Sequence, residues 1–207
     1  MRLSINNRIL SKRVAVYWFF FKFLIETGMR KGEAAALKWS DIELKNKTVV
    51  VKKTLDFDFP EAHEELSGDT KNDNSERILQ LSNTIIADFR HHMNVIDQNK
   101  LILNEMYRHD LNLVMCRTDG RLIPKSTLFN AFSRILKRAK LPSLPIHSLR
   151  HTHTVLLLEA GATMKYIQER LGHGGIQITA DVYAHISKKI EMNSIKKYES
   201  FTESLLQ

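Results

Sequence analysis

The distribution of apolar positions predicts a chain that is mostly helical. The segment Val14 to Thr27 is dense in aromatic and aliphatic residues, and Gly28 separates it from a run of helix formers at Lys31 to Leu37. Apolar residues recur at helical spacing in Thr84 to Met93 and in Ser126 to Ala139. We therefore expect two helices that meet at Gly28 and two amphipathic helices further along the chain.

The second half of the chain contains three more predicted helices. Thr152 to Ala160 is apolar on nearly all sides and stops at Gly161, so we expect this helix to form the buried core of the domain. Thr163 is suited to cap a helix over Met164 to Leu171. The segment Ser187 to Gln207 is typical of a charged helix at the tail.

Two short runs predict β-strands. Thr48 to Val51 is rich in β-branched residues, and Ile78 to Leu81 is a weaker strand candidate. Between them, Asp56 to Glu76 is polar and acidic and contains several turn formers, which predicts a long loop or hairpin tip. The fold class that follows is mainly α with a small antiparallel β-sheet, an α+β domain.

Length and charge indicate one compact domain that attracts a polyanion. A chain of 207 residues is the size of a single domain, which we expect to span 1–207 with a lead-in over 1–13 and a tail helix over 187–207. The formal net charge is +8, so the surface carries excess positive potential. Nucleic acid and an anionic membrane are the candidate partners.

The apolar stretches argue against a membrane. Val14 to Ile25 spans only 12 residues and contains Lys22, whereas a membrane-spanning helix needs about 20 apolar residues. No signal-peptide pattern is evident, and the basic residues are not gathered on one amphipathic helix, so we expect a cytoplasmic protein with no membrane partner. The single cysteine, Cys116, lies in an apolar run and is expected to be a buried structural thiol.

The residues that suggest chemistry lie in four short motifs. In chain order these are Thr27-Gly28-Met29-Arg30-Lys31-Gly32-Glu33, Asp69-Thr70-Lys71 before Arg77, His147-Ser148-Leu149-Arg150-His151, and Leu171-Gly172-His173 with Tyr183 ten positions after that histidine. Together they resemble the tyrosine recombinase family of the phage-integrase type. The resemblance covers roughly Val14 to Ile186, in the family's order.

The resemblance implies a site-specific DNA recombinase or integrase of a phage or other mobile element. Tyr183 would attack the scissile phosphate of double-stranded DNA, form a covalent 3′-phosphotyrosyl intermediate and release a 5′-hydroxyl. Such enzymes assemble on paired DNA sites, so we expect a homo-oligomer, a tetramer, on DNA. Family members usually carry N-terminal DNA-binding domains, which we expect to be absent from this chain.

The candidate residues also suit this chemistry on physical grounds. Phosphodiester cleavage without a metal needs positive charge against the phosphoryl oxygens, and the planar forks of Arg30 and Arg150 could clamp one phosphate. A phenol with an ordinary pKa of about 10 is a poor nucleophile at neutral pH, so Tyr183 needs cations or a base nearby. His147 and His173 are candidates to bind the non-bridging oxygens and to move the tyrosine proton, and the sequence does not decide between them.

Lys71 is the candidate general acid for the leaving 5′-oxygen. A lysine on a hairpin can reach over the scissile bond and lose its proton when it is desolvated. The sequence around Lys71 is more acidic than is common in the family, and Lys52 or Lys53 could serve instead. Glu33 follows Arg30 by three residues and could either orient that arginine or face solvent.

Other functions remain open from the sequence. A relaxing enzyme like the type IB topoisomerases would share the tyrosine, the arginines and a lysine, although the spacing from Leu171-Gly172-His173 to Tyr183 favours a recombinase. A non-catalytic DNA-binding module on the same fold would be expected to have lost part of the catalytic set, which is complete here.

The histidines suggest a metal site, but they lack the usual ligand spacings, so no metal and no cofactor are expected. These histidines are His147, His151, His153, His173 and His185.

Overall fold

The structure is a computed structural model that describes residues 16–57, 76–172, 195 and 198–204. Its helices, numbered in chain order, are α1 (16–27), α2 (Lys31–Ala36), α3 (Asn83–Leu103), α4 (Lys125–Arg138), α5 (Ser148–Glu159) and α6 (Met164–Leu171). Short 3₁₀ turns cover Trp39–Asp41 and Asn104–Met106, and the tail is helical over 198–204. The strands are β1 (Ile42–Glu43), β2 (Thr48–Val51) and β3 (Arg77–Gln80). The predicted class, mainly α with a small antiparallel sheet, is confirmed.

The sheet is antiparallel with the strand order β1-β2-β3. Val49 of β2 pairs with Ile42 of β1 on one side and with Leu79 of β3 on the other. Val49, Val51 and Leu79 are buried, whereas Ile78 is exposed, because successive side chains of a strand point to opposite faces. The two predicted strands are confirmed, and the sequence missed β1, which has only two residues.

Four of the predicted helices are found close to their expected bounds. Gly28 separates α1 from α2, as predicted, and α4 differs from its predicted range by one residue at each end. The hydroxyl of Thr163 accepts a hydrogen bond from the Tyr166 N–H at 3.2 Å, so the predicted cap of α6 is also confirmed. The predicted loop 56–76 and tail 187–207 lie largely outside the described residues.

Helix α3 extends ten residues beyond the predicted end at Met93. The hydroxyl of Ser82 caps its start by accepting from the Ile85 N–H at 3.2 Å. Its buried face continues through His92, Ile96 and Asn99, of which two are polar. Polar residues on the buried face hid the helical period in the sequence.

The core packs α1 against α3 and the sheet. Phe89 of α3 is fully buried, and its ring lies edge-on to Phe19 and Phe23 of α1, with ring centroids 5.1 and 5.4 Å away. Cys116 is fully buried, as predicted, in a smaller cluster with Tyr107 and Leu113.

None of the helices in the described part of the chain is long and apolar enough to cross a membrane.

The expectation that α5 forms the centre of the core is wrong. Leu156 is 51% exposed, and the buried residues of α5 include Arg150, His153 and Thr154 beside Leu158. A run of consecutive leucines has no helical period, so it did not show which face is buried. The buried face of α5 is polar because it packs on the turn at Gly28, where its side chains bind backbone carbonyl groups.

Replacing Phe89 with alanine tests the aromatic core. Phe89→Ala should lower the free energy of unfolding by about 3–5 kcal/mol, because it leaves a cavity between α1 and α3. Leu101→Ala is the matched control on the same helix, since Leu101 is 82% exposed, and should change stability by less than about 0.5 kcal/mol. Urea denaturation measures both; equal losses in the two variants would contradict this core.

Candidate active site

The turn between α1 and α2 places the first candidate residues. Gly28 has a φ of +70° and donates its N–H to the carbonyl oxygen of Leu24 at 2.9 Å, which ends α1. A Cβ atom at Gly28 would lie 2.5 Å from His153 and 2.6 Å from Leu171. Only glycine therefore combines this backbone conformation with close contact to α5 and α6.

Arg150 joins this turn to the end of α6. Its Nη1 donates to the carbonyl oxygen of Gly28 at 2.7 Å, and its Nη2 donates to that of Leu171 at 2.6 Å. The residue is 2% exposed. Its Nε has no hydrogen-bond partner among the described residues. Burial first, and then the positive charge of Arg30, lower the pKa of Arg150 to about 9, so the guanidinium is still charged at neutral pH.

Arg30 is held by the buried carboxylate of Glu33. The Nη1 of Arg30 donates to Oε1 of Glu33 at 2.8 Å, and the backbone N–H of Arg30 donates to Oε2 at 2.8 Å. The Nη2 of Arg30 lies 3.4 Å from the carbonyl oxygen of Gly172, to which it donates. The sequence left two roles possible for Glu33, and the structure shows that it orients Arg30 rather than facing solvent. The Arg30 side chain remains 42% exposed and accessible to a ligand.

Arg30, His147 and Arg150 line one cavity of about 220 Å³. Lys31 and Lys125 also line it, so four cationic side chains and the imidazole of His147 surround the space, with Asp56 the single carboxylate among the described lining residues. Cations this close repel one another unless an anion lies between them. The positive charge of this lining is therefore suited to an anion.

His147 is the histidine that the structure places in this cavity. It lies at the N-terminal end of α5, and its ring is edge-on to that of His151 with centroids 5.0 Å apart. Burial, then the nearby His151, Arg150, Arg30 and Lys31, lower its pKa. At neutral pH His147 is therefore mostly neutral and able to accept or donate a proton.

His153 has a structural role. Its Nδ1 lies 2.9 Å from the carbonyl oxygen of Ile25, and its Nε2 accepts from the Nε of Arg170 at 3.1 Å. Burial first, and then the charge of Arg170, lower its pKa to about 4, so the ring is neutral. Both ring nitrogens are occupied, which removes His153 from the possible metal ligands. Within the described ranges, no group of three or more potential ligands is placed to hold a metal ion.

The predicted site residues divide into two sets. Arg30, His147 and Arg150 come together at the cavity, as their motifs suggested. Lys71, His173 and Tyr183 lie outside the described residues, so their roles stay predictions. Neither Lys52 nor Lys53 is among the residues that line the cavity, and Lys52 pairs with Asp41 at 3.2 Å.

Sequence reasoning missed Lys31 and Lys125. The ammonium of Lys31 lies 6.0 Å from the ring centroids of both Phe57 and Phe129, a cation–π arrangement. Lys125 begins α4 directly after Pro124. Lys31 stands next to Arg30 in the sequence and could have been suspected on that ground, whereas nothing local marks Lys125.

Comparison with known proteins finds relatives of this sequence. The sequence matches the phage integrase family over residues 4–189. It is 30% identical over 184 residues to a protein of Caldanaerobacter subterraneus subsp. tengcongensis named as a XerC-like tyrosine recombinase, covering 85% of this chain and 47% of that protein. The chain thus spans about half the length of this relative.

Solved structures show the same fold. A Tn1549 transposon integrase in complex with circular intermediate DNA superposes with a TM-score of 0.64 at 19% identity, over 89% of this chain and 59% of that one. The XerA recombinase superposes with a TM-score of 0.61 at 22% identity, over 84% of this chain and 54% of that one.

Adding a methyl group at Gly28 tests the turn that positions Arg150. Gly28→Ala should destabilise the protein by more than the roughly 1–3 kcal/mol that backbone strain costs, because the added methyl group also overlaps His153 and Leu171. It should weaken binding of inorganic phosphate because the Gly28 carbonyl is displaced. Gly120→Ala is the control, since Gly120 has a φ of +80° and an added Cβ atom there would lie 2.8 Å from the Tyr107 ring. It should be destabilised without loss of phosphate binding. Thermal melts and ³¹P NMR titrations measure the two effects; equal phosphate binding in both variants would contradict this account.

Proposed function

Because this chain belongs to the phage integrase family, we propose that it is the catalytic part of a site-specific DNA recombinase. Its substrate is double-stranded DNA, which it cleaves and rejoins without a metal or cofactor. The reaction serves the integration or excision of a mobile element. It takes place where the DNA is, in the cytoplasm.

The observation that carries this proposal is the convergence of Arg30, Arg150 and His147 on one cavity. A phosphodiester gains negative charge on its non-bridging oxygens as a nucleophile attacks, and fixed guanidinium groups stabilise that charge. Arg150 is buried with its Nε unpaired among the described residues, and Arg30 is partly exposed. Arg30 and Arg150 could therefore both bind one phosphate.

Tyr183 is the proposed nucleophile. Its phenolic oxygen attacks the phosphorus, the bond from phosphorus to the 5′-oxygen breaks, and the DNA strand remains attached to the tyrosine through its 3′-phosphate. The phenolic proton passes to a histidine, His147 or His173, and Lys71 gives a proton to the leaving 5′-oxygen. Attack of a 5′-hydroxyl on the phosphotyrosine reverses these steps and reseals the strand.

A second, larger cavity supports DNA binding beside the first. It has a volume of about 1010 Å³ and shares Phe57 and Lys125 with the smaller cavity. Three arginines line it: Arg108, Arg117 and Arg121. A DNA strand whose scissile phosphate is bound by Arg30 and Arg150 could continue over Lys125 into this groove, where lysine and arginine can bind the phosphate backbone without reading its sequence. Two of its arginines also pair with carboxylates, Arg108 with Asp110 and Arg117 with Asp119.

The tail supports assembly of several copies on DNA. Ile195, Tyr198 and Phe201 are spaced by three residues and are 55%, 65% and 63% exposed. Such an apolar stripe on a helix is suited to a groove on another protomer. We therefore propose that the tail joins neighbouring protomers in a homo-oligomer, a tetramer, on paired sites.

A covalent-adduct assay tests the proposed nucleophile. On a nicked suicide duplex made from candidate attachment-site DNA, Tyr183→Phe should abolish the protein–DNA adduct and leave DNA affinity nearly unchanged, because only the phenolic oxygen is lost. Tyr198→Phe is the control, since Tyr198 is exposed on the tail, and should form adduct at the normal rate. Denaturing gels measure the adduct, and undiminished adduct with Tyr183→Phe would rule out this nucleophile.

The same assay separates the proposed chemistry from its alternatives. Adduct formation should persist in excess EDTA, because the arginines take the place of a metal. Loss of cleavage on chelation, restored by zinc or magnesium, would show a metal-dependent reaction. DNA binding without any adduct would instead indicate a non-catalytic DNA-binding module.

Deleting Asn193 to Gln207 tests the role of the tail. The shortened protein should still cleave a single suicide site but should assemble less cooperatively on paired sites, because the apolar stripe is gone. Native gels measure assembly, and circular dichroism checks that the domain stays folded. Unchanged assembly, or unfolding of the domain, would show that the tail does not join protomers.

A further inference from the structure

Arg77 is a buried arginine whose role the motifs do not explain. It begins β3, directly before the exposed Ile78, and its side chain is only 8% exposed. Its Nη1 donates to Oε1 of Glu33 at 3.1 Å, and its Nη2 donates to Oε2 of the same carboxylate at 2.8 Å. A forked pair of this kind fixes the plane of the carboxylate as well as its position.

Glu33 is thus shared between two arginines. Each of its oxygens accepts one hydrogen bond from Arg77 and one from Arg30. Burial acts to raise the pKa of Glu33, but the hydrogen bonds and charges of Arg77 and Arg30 lower it below its usual value. Glu33 is therefore ionised at neutral pH, and the orientation of Arg30 depends on a carboxylate that Arg77 holds.

Arg77 also binds the end of α6. Its Nε donates to the carbonyl oxygen of Arg170 at 2.8 Å. A Cβ atom at Gly172 would lie 3.1 Å from its Nη1. Arg30 donates to the carbonyl oxygen of Gly172 at 3.4 Å, so both arginines that bind Glu33 also contact this turn. The turn directly precedes His173 in the sequence.

Arg170 makes the reciprocal link. Its Nη1 donates to the carbonyl oxygen of Gln80 at 3.1 Å, at the end of β3. Arg77 therefore binds the backbone of α6 from β3, and Arg170 binds the backbone of β3 from α6. Two crossed links of this kind hold the strand and the helix end in one relative position.

We propose that Arg77 is a positioning residue for the phosphate site: it fixes the carboxylate of Glu33 and the end of α6 so that Arg30 faces the phosphate bound by Arg150. This inference rests on the proposed function for the identity of the ligand. Arg77 is not one of the described residues that line the cavity. Its proposed effect on the phosphate is therefore indirect and passes through Arg30.

A double-mutant cycle tests whether Arg77 acts through Arg30. Arg30→Ala should slow adduct formation on the suicide duplex by about a hundredfold to a thousandfold, as expected for loss of one transition-state donor. Arg77→Met should slow it by up to about a hundredfold through misplacement of Arg30, with DNA affinity changed much less. In the Arg30→Ala background, Arg77→Met should add less than about a twofold loss, because the residue it positions is already gone.

Two further variants separate positioning from folding. Arg77→Lys keeps one positive charge but cannot span both carboxylate oxygens and the Arg170 carbonyl, so its loss should be smaller than that of Arg77→Met. Arg90→Met removes an exposed arginine of α3 and should leave adduct formation unchanged. All rates are measured well below the melting temperature of each variant. A full additional loss from Arg77→Met or Arg77→Lys in the Arg30→Ala background overturns the proposal.

Binding of inorganic phosphate tests the same inference without cleavage. Arg77→Met and Arg30→Ala should each weaken phosphate binding to the full 207-residue chain, measured by ³¹P NMR, and the double variant should bind no more weakly than Arg30→Ala. If the wild-type chain forms no adduct but Arg77→Met still weakens phosphate binding, the proposed function fails and the positioning role stands. Equal phosphate affinity in the wild type and Arg77→Met overturns the positioning role.

Discussion

Buried guanidinium groups hold together turns that are far apart in this chain. Burial of an arginine is costly unless acceptors surround it. Arg150 donates hydrogen bonds to the carbonyl oxygens of Gly28 and Leu171. Arg77 donates to the carboxylate of Glu33 and to the carbonyl oxygen of Arg170. Helix ends leave such carbonyl groups unsatisfied. The same hydrogen bonds that stabilise the buried charges therefore fix the ends of α1 and α6 beside the start of α5.

The cavity follows from this arrangement. Gly28 permits close contact between α1, α5 and α6, and Gly32 does the same for α2, since its carbonyl accepts from the Leu55 N–H at 3.0 Å. A Cβ atom at Gly32 would lie 2.6 Å from the carbonyl oxygen of Leu55. These contacts define the walls on which Arg30, His147 and Arg150 stand. The positions of these groups are therefore set when the chain folds, which is what electrostatic catalysis of the proposed reaction would require.

The sequence predicted those features that depend on local patterns. Arg30, His147 and Arg150 were identified because each lies in a short motif next to a helix start, and α4 and α6 because their apolar stripes and caps are regular. The burial of α5 and the length of α3 were misjudged, since both helices bury polar residues whose partners are distant in sequence. His153 binds Ile25 and Arg170, and His92 binds the Val114 carbonyl at 2.7 Å.

Arg77 shows why the remainder of the site could not be predicted. Its partners Glu33 and Arg170 lie far from it along the chain, and no spacing rule connects a strand residue with both. Lys125 enters the cavity for a similar reason, through the packing of α4 rather than through any motif of its own. Side chains that act through tertiary contacts leave no periodic signal in one sequence.

The positive charges around the cavity repel one another. Arg30 contributes to the lowered pKa of Arg150, so these two cations destabilise one another in the folded protein, and the charges of Arg150, Arg30 and Lys31 disfavour protonation of His147. The negative charge of Glu33 offsets part of this repulsion, but the same carboxylate also pairs with a third cation, Arg77. A bound anion would offset the remaining repulsion, and this stabilisation would increase with the negative charge of the anion. For the phosphodiester proposed above as the substrate, which carries more negative charge under attack than at rest, this repulsion would favour the transition state over the bound substrate.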